Sequence, residues 1–318
     1  MERSRGSISI VVSIALAACV VIASAVMFVP SLHGIKDKII GAASKAAPSA
    51  TKPGSPTTNP TAPVKAKPTD VPAGPVLDAS KVITRGDPSK PMIALTFDSN
   101  MTKGMQKRMP RGSDMYLNQA VLDELTATNT LATFFLASLW VQSYPDAAAA
   151  IAGNPNFDVA SHSYLHRSYG PDPYHIGLLP PADYVTDMQK SEEVLKALKP
   201  VHMTNYFRFP GGVYTAESLR AAKAAGVQPI EYDVVSGDVK GTPMALDPAA
   251  IAQNVIDQVH SGAIIIMHIT KDNAPQTAEA LAEILPKLCS ADSAFKCVRL
   301  SELLASGNVT YGAPSFTG

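Results

Sequence analysis

The sequence predicts an α/β domain built on parallel strands, and two features carry this prediction. Short apolar segments recur from residue 92 onward, and helix-like segments lie between most of them. A strand, a helix and another strand, repeated in this way, are typical of parallel strands joined by crossover helices. The pattern fits both an open doubly wound sheet and a barrel. No glycine-rich phosphate loop follows the first strand, which argues against a nucleotide-binding sheet.

The predicted strands are short and apolar throughout, which is typical of strands buried on both faces. We expect them at Met92–Phe97, Leu131–Leu136, Phe157–Ala160, Tyr206–Phe209, Val227–Val235, Ala263–Met267 and Val298–Leu300.

Three of the intervening helices have clear signals in the sequence. Apolar residues recur at helical spacing within Tyr184–Leu198. Thr215 is suited to capping a helix that Gly226 would end, because a hydroxyl accepts from free N–H groups and glycine permits the terminating turn. Asp247 followed by proline is typical of another helix start, with Gly262 as its expected end.

The chain before residue 82 is expected to lie outside this domain. Residues 8–29 form an almost uninterrupted apolar run behind Arg3 and Arg5, which is long enough to cross a bilayer with the N-terminus inside. We therefore expect residues 1–30 to be a single-pass membrane anchor or a signal segment. Cleavage near Ala25 and lipidation at Cys19 are the alternatives to a retained anchor. Each version places the rest of the chain outside the cytoplasm, on a bacterial cell membrane or, after cleavage, secreted.

Residues 31–81 are expected to form a disordered linker rich in proline, alanine and threonine. The 41–80 stretch contains eight prolines and no aromatic residue, so it cannot bury enough apolar surface to offset its ordering entropy. Residues 82–318 would then form the globular domain. The net charge of the chain is +0, which gives no electrostatic reason to expect nucleic acid as a partner. We expect a monomer.

Polar residues capable of chemistry stand at or near the ends of five predicted strands. In a parallel barrel the carboxyl ends of the strands share one face, so residues from distant segments would meet there. His162 and His166 are spaced i, i+4, so one helical turn would bring both rings to one divalent metal. The set comprises Asp98, His162, His166, Arg208, Asp238 and His268.

Five motifs carry these residues in a fixed order. They are LTFDSN at 95–100, SHSYLH at 161–166, FRFPGG at 207–212, DVVSGDV at 233–239 and IIIMHI at 264–269. This ordered set resembles the motifs of the polysaccharide deacetylases, the NodB-homology enzymes of carbohydrate esterase family 4. The resemblance covers Met92 to Leu304 and implies a distorted, incomplete (β/α) barrel of about seven strands.

The resemblance implies hydrolysis of N-acetyl groups from amino sugars of a cell-envelope glycan, such as peptidoglycan or a chitin-like polymer. The acetylated glycan would be the partner outside the membrane. A divalent metal, expected to be zinc with cobalt or nickel as alternatives, would be held by His162 and His166. Such an ion polarises the amide and acidifies water.

The remaining roles also follow from the resemblance. Asp98 would be the general base, oriented by Arg208, and His268 would protonate the leaving nitrogen with Asp238 raising its pKa. The backbone N–H of Gly211 would help to hold the oxyanion.

One departure from the family pattern concerns the third metal ligand. Ser99 stands where the family carries a second aspartate, and a neutral hydroxyl is a poorer zinc ligand than a carboxylate. The carbonyl of Asn100, the carboxylate of Asp114 or a shift of Asp98 onto the metal are the open alternatives. A catalytically impaired domain that binds glycans is therefore the second functional hypothesis. A third functional hypothesis is an amidohydrolase that acts on a small cyclic amide. The expected membrane anchor and linker argue against such a metabolite substrate.

The two cysteines of the globular part, Cys289 and Cys297, are close in sequence. Outside the cytoplasm we expect a short-loop disulfide between them, with an unpaired arrangement as the alternative.

Overall fold

The computed structural model describes residues 77–312. The expected anchor at 1–30, the expected linker up to residue 76 and the chain after 312 lie outside these described residues. Among residues 77–312, none of the helices combines the length and apolar character needed to cross a membrane.

The described chain alternates between strands and helices for most of its length. The strands are β1 Val82–Arg85, β2 Met92–Ser99, β3 Ala132–Leu136, β4 Phe157–Ser161, β5 Met203–Phe207, β6 Gln228–Pro229, β7 Val234–Val235, β8 Ile264–His268, β9 Lys296–Cys297 and β10 Thr310–Gly312. The helices are α1 Lys103–Arg108, α2 Gln119–Ala127, α3 Ser138–Ser143, α4 Pro145–Gly153, α5 Tyr184–Ala197, α6 Ala216–Ala225, α7 Pro248–Gln258, α8 Thr277–Leu288 and α9 Leu300–Leu303. Short 3₁₀ turns lie at Pro181–Asp183 and Pro210–Gly212.

Seven strands form one continuous parallel sheet in the order β6-β5-β4-β3-β2-β8-β7, and β9 adds a short pairing to β2. β6 and β7 stand at opposite edges, although only the segment 230–233 separates them in sequence. That segment spans at most about 18 Å, whereas a flat seven-stranded sheet would hold its edges roughly 29 Å apart. The sheet must therefore curl. It forms a half-barrel with helices around it, in agreement with the barrel that the motifs imply.

The central strands are buried on both faces, which explains why they are apolar at nearly every position. Phe97, Phe134 and Phe157 come from β2, β3 and β4 and pack in a row, with ring centroids 5.4 and 4.9 Å apart. All three are at most 2% exposed. Removing one such ring typically costs about 3–5 kcal/mol of stability, so this row fixes the strands that carry the polar residues.

Three strand predictions need correction. The expected strand Val227–Val235 is two short strands, because Pro229 has no N–H to continue a ladder and the chain then crosses to the other edge of the sheet. The expected strand Tyr206–Phe209 starts earlier and ends at Phe207, so Arg208 follows the strand instead of lying within it. At the last predicted strand, pairing stops at Cys297 and Leu300 begins a helix.

The helix signals were largely correct. The Thr215 hydroxyl accepts from the N–H of Ser218 at 3.2 Å, and Gly226 ends the helix with φ 78°. The helix that Asp247 caps ends at Gln258, four residues before the expected stop. Gly262 serves a different purpose, since a Cβ there would lie 2.8 Å from the carbonyl oxygen of Gly86.

Candidate active site

Two strand ends at the centre of the sheet bring together residues that lie far apart in sequence. Asp98 in β2 and His268 at the end of β8 are direct partners in the register of these parallel strands. Their side chains therefore lie at the same end of the sheet, where the strands end, next to the loop that follows β4. The expected meeting of the first and last motifs is present in the structure.

Asp98 and Arg208 form a buried ion pair. Nη1 of Arg208 donates to Oδ1 of Asp98 at 2.7 Å and to the hydroxyl of Thr96 at 3.0 Å. The guanidinium also lies 3.9 Å from the ring centroid of Phe135, and the two charged side chains are 1% and 3% exposed. A carboxylate held in this way has a fixed orientation, and its Oδ2 is turned toward His162.

His162 and His166 lie on the loop after β4, not on a helix as their spacing suggested. Ser163 and His166 adopt φ values of 69° and 50°, which a helix does not contain. The hydroxyl of Ser163 accepts from the N–H of His166 at 2.9 Å, and Asp187 accepts from the N–H of Tyr164 at 2.8 Å. The turn brings the two imidazole rings to a centroid distance of 5.0 Å.

The ring nitrogens of this pair are largely free of protein partners. Nδ1 of His162 lies 3.0 Å from the carbonyl oxygen of Arg208, which assigns Nε2 to the site, 3.7 Å from Oδ2 of Asp98. Both ring nitrogens of His166 are buried and lack a hydrogen-bond partner among the described residues. Burial lowers the pKa of both histidines, so both rings are neutral and carry a free lone pair.

A metal ion fits two of the positions that the motifs imply. Two neutral, buried imidazoles with unpartnered nitrogens are the donor type that zinc and similar ions prefer. Within residues 77–312, however, no group of three or more His, Cys, Asp or Glu residues is arranged to hold one ion. The hydroxyl of Ser99 instead accepts from the N–H of Ala137 at 3.1 Å. The third ligand position therefore lacks the carboxylate that would complete the set.

Two of the three alternatives for this position, Asn100 and Asp114, differ in their surroundings. The side-chain oxygen of Asn100 is buried and has no hydrogen-bond partner among the described residues. The backbone N–H of Asn100 donates to the hydroxyl of Thr270 at 2.8 Å. Asp114 is a surface residue, 68% exposed at its side chain, and pairs with Lys271 at 2.9 Å. The structure thus directs Asp114 away from the site and leaves Asn100 with a free carbonyl.

His268 is fixed by a carboxylate on its far side. Its Nδ1 lies 3.0 Å from Oδ1 of Asp238, whose Oδ2 accepts from the hydroxyl of Thr277 and from the backbone N–H of His268, both at 2.8 Å. Burial disfavours the charged imidazole, but the carboxylate and its hydrogen bond outweigh burial and raise the pKa of His268 above its ordinary 6.5. The raised pKa favours the protonated form of this ring, which is the form that a general acid needs.

Gly211 lies in the 3₁₀ turn Pro210–Gly212, which follows β5 and Arg208. Its φ of 70° favours glycine, and a Cβ there would lie 2.8 Å from Cδ2 of Tyr174. Both features explain why the motif carries glycine at this position.

Glu231 is a site neighbour that the sequence analysis missed. Its Oε1 accepts a long hydrogen bond of 3.4 Å from the N–H of Phe209, and its Oε2 has no partner among the described residues. Burial, reinforced by the nearby charge of Asp98 and opposed by that of Arg208, raises the pKa of Glu231 to about 8. A charged residue within the apolar Val227–Val235 segment was the available signal.

Cys289 and Cys297 form a disulfide with a Cα–Cα distance of 5.1 Å. Cys297 pairs with Ile93 near the start of β2, whereas Asp98 lies near its end. The disulfide is therefore at the opposite end of the sheet from the candidate site and has a structural role.

Groups that can accept a proton and groups that can donate one stand around a pair of free imidazoles, at one end of a parallel half-barrel. This combination is suited to acid–base chemistry on a bound substrate. Residues 85–230 match the family model described as polysaccharide deacetylase. This part of the chain is therefore similar to the polysaccharide deacetylases, and its structural neighbours include members of carbohydrate esterase family 4, as the motifs indicated.

Two curated relatives show what this chain is similar to. An uncharacterized 30.6 kDa protein of Geobacillus stearothermophilus is 29% identical over 203 residues, which cover 62% of this chain and 66% of the relative. A peptidoglycan-N-acetylglucosamine deacetylase of Bacillus cereus is 26% identical over 211 residues, covering 66% and 68%. The matched region thus spans about two thirds of either relative.

A solved structure from carbohydrate esterase family 4 is also similar. A family 4 pseudoenzyme of Bacillus anthracis matches with a TM-score of 0.56 and 25% identity, over 72% of this chain and 70% of that one. A mutant of that protein with restored enzymatic activity matches with the same TM-score, 26% identity and 72% coverage of each chain. The neighbours of this chain therefore include both active deacetylases and a member without activity.

Proposed function

We propose that this protein removes acetyl groups from N-acetylated amino sugars of a cell-envelope polysaccharide by hydrolysis. The proposal rests on one observation: Asp98, His162 and His268 meet at one end of the half-barrel. In this reaction water adds to the acetyl carbon, the C–N bond breaks, and acetate and a free sugar amine leave. The chemistry needs a base at the start and an acid at the end.

Asp98 is the base in this proposal. Its Oδ1 is engaged by Arg208, while Oδ2 faces the centre of the site toward His162. The carboxylate can therefore accept the proton of the attacking water without changing its own orientation. Arg208 is a positioning residue, because it contacts Asp98 and is itself 0% exposed.

His268 is the acid. Because Nδ1 of His268 is hydrogen-bonded to Asp238, the proton that His268 transfers must leave from Nε2, on the side facing the site. The departing nitrogen takes up this proton as the C–N bond breaks, which avoids expelling an unstable amide anion. The backbone N–H of Gly211 is placed in this proposal to stabilise the oxyanion.

His162 and His166 are the residues of this chain that would hold a divalent metal, for which zinc, cobalt and nickel are the candidates. A bound ion would supply polarisation of the acetyl oxygen and a lower pKa for water. The side-chain carbonyl of Asn100 is the group of this chain best suited to be the third metal ligand. The hydroxyl of Ser99 is less suited, because it already accepts from the N–H of Ala137.

The location is also a proposal. The apolar run at 8–29 and the proline-rich stretch after it support a single-pass anchor and a tether, with the domain outside the cytoplasm. Such a location favours a cell-envelope glycan, and peptidoglycan in particular, as the substrate.

A glycan-binding protein without hydrolytic activity is the second candidate function. Ser99 favours it, because no third acidic or imidazole ligand completes a metal site among residues 77–312, and a structural neighbour at 25% identity is a pseudoenzyme. The two functions share the same residues and differ only in turnover.

Acetate release distinguishes the two functions. The purified protein is incubated with N-acetylglucosamine oligomers and with peptidoglycan, in the presence of zinc, cobalt or nickel, and acetate is measured. We expect acetate from the intact protein and at least about 100-fold less from the His268→Gln variant. Glycan binding without acetate under every metal condition would reject the deacetylase and favour the binding protein.

A further inference from the structure

One large aromatic side chain at the rim of the candidate site is exposed to solvent. Tyr174 is 65% exposed and lies on the loop between β4 and α5. Most aromatic side chains near the site are buried: Tyr169, on the same loop, is 0% exposed and its hydroxyl donates to Asp187 at 2.7 Å. The exposure of Tyr174 is therefore a local property of this position.

The loop around Tyr174 is held by its own hydrogen bonds. The carboxylate of Asp172 accepts from the N–H groups of Ile176 and Gly177 at 2.9 and 2.8 Å. The hydroxyl of Ser168 donates to the carbonyl of Pro171 at 2.7 Å. These contacts on both sides of Tyr174 fix the backbone from which the ring projects, so the exposed ring has a defined position.

The ring of Tyr174 lies directly against the backbone of the candidate site. A Cβ on Gly211 would meet Cδ2 and Cε2 of Tyr174 at 2.8 and 3.2 Å, so only glycine allows the ring to approach so closely. The next residue, Gly212, would carry its Cβ 3.2 Å from the hydroxyl of Tyr232. The Gly211–Gly212 turn is thus bordered by one exposed and one partly buried tyrosine.

We propose that Tyr174 forms a sugar-binding subsite, in which its exposed aromatic face packs against a pyranose ring of the glycan. This proposal rests on the proposed function, because it takes the Gly211 turn as the place where the acetamide group binds. A sugar whose acetamide reaches Gly211 must have a ring within contact of the neighbouring Tyr174. The C–H face of a pyranose is apolar, and tyrosine offers a flat apolar surface at little entropic cost.

The exposure of this loop supports a binding role for Tyr174 over a packing role. Tyr174 is 65% exposed and Leu178, on the same loop, is 59% exposed, so neither side chain belongs to the hydrophobic core. Removing the ring should accordingly leave the fold intact and weaken glycan binding. We expect a loss of roughly tenfold or more, which corresponds to the apolar area that one stacked sugar face removes from water.

Binding is tested in the full chain with the change His268→Gln, so that the acetyl groups of the glycan are retained during titration. The probe is an N-acetylglucosamine tetramer, and heat of binding gives Kd for Tyr174→Ala and Tyr174→Phe in this background. We expect Ala to weaken binding roughly tenfold or more and Phe to leave it unchanged, since the interaction uses the ring and not the hydroxyl. Tyr311→Ala is the matched control, because Tyr311 is a partly exposed tyrosine on β10.

A second readout uses fluorescence. The chain contains one tryptophan, Trp140, which is 0% exposed. Tyr174→Trp therefore adds an exposed reporter that the bound sugar should shift to shorter wavelength, with the same Kd as the heat measurement.

Three results would each overturn the subsite. The first is equal affinity of the Ala variant and its parent, and the second is an unchanged Trp signal during binding. The third is that neither protein binds the tetramer. Ring-dependent binding without acetate release from the unmodified chain would reject the deacetylase and retain the subsite. In an active protein, Tyr174→Ala should raise KM and leave kcat nearly unchanged, which a merely structural role would not do.

Discussion

The ion pair between Asp98 and Arg208 gives a prediction whose magnitude follows from its burial. The two side chains are 3% and 1% exposed and 2.7 Å apart, so removing either partner leaves a charge in the protein interior. Breaking such a pair typically costs about 3–5 kcal/mol. We expect Asp98→Asn and Arg208→Gln each to lower the free energy of unfolding by about this amount.

The double variant should lose much less than the sum of the two single losses, because neither charge is then left alone. The coupling energy from the four proteins should be about 2–3 kcal/mol. Urea unfolding measures it: with a slope of about 2–3 kcal/mol/M, a loss of about 4 kcal/mol moves the midpoint down by roughly 1.3–2 M.

The ion pair between Asp114 and Lys271 is the matched control for this cycle. Its distance is 2.9 Å, but its side chains are 68% and 50% exposed. Solvent screens such pairs, so the corresponding cycle should give about 0.2–1 kcal/mol. Additive single losses of less than about 1 kcal/mol at Asp98 and Arg208 would refute the reasoning, because the pair would then behave like its exposed counterpart.

Three further predictions concern the groups around this pair. Asp238→Asn removes the carboxylate that raises the pKa of His268, so the alkaline limb of the pH–activity profile should move to lower pH and activity at neutral pH should fall by roughly 10²-fold; an unmoved limb would exclude His268 as the acid. Ser99→Asp supplies the missing carboxylate and should tighten zinc binding by at least about tenfold in equilibrium dialysis, whereas Ser99→Asn should not; no gain with Asp would mean that another residue already fills the position. Glu231 has a folded-state pKa of about 8 against an ordinary 4.5, so it holds a proton in the folded protein that the unfolded chain releases, and its contribution to stability falls as pH rises from 4.5 to about 8. Glu231→Gln should remove this part of the pH dependence of unfolding, and an identical pH dependence in the variant would contradict the assignment.

The sequence was sufficient to place the strand ends of the site. Asp98 and His268 follow or end apolar segments that fold as central strands, and parallel strands present their carboxyl ends on one edge. The identity of the elements therefore followed from local patterns, because buried parallel strands are apolar at every position.

The local backbone at the histidine motif could not be predicted in the same way. The i, i+4 spacing of His162 and His166 suggested a helix, but Ser163 adopts φ 69° and the loop is held by Asp187 from a later helix. A tertiary hydrogen bond decided this conformation over local propensity. The same applies to Ser99, whose commitment to Ala137 depends on the neighbouring strand.

Residues that reach the site from distant segments were also not predicted. Glu231 was overlooked because it lies within an apolar segment that was expected to be one strand. In the structure that segment crosses from one edge of the curled sheet to the other and passes under the Gly211–Gly212 turn. The curl of the sheet, which no local pattern encodes, determines which residues border the site.

A crystal structure of the protein with zinc and an N-acetylglucosamine oligomer would test the central claim most directly, with the ion located by anomalous scattering at the zinc edge. The account predicts one zinc ion in contact with Nε2 of His162 and a ring nitrogen of His166, with the acetamide of a bound sugar between Asp98 and His268. Zinc bound elsewhere, or a sugar whose acetamide lies away from both Asp98 and His268, would contradict it.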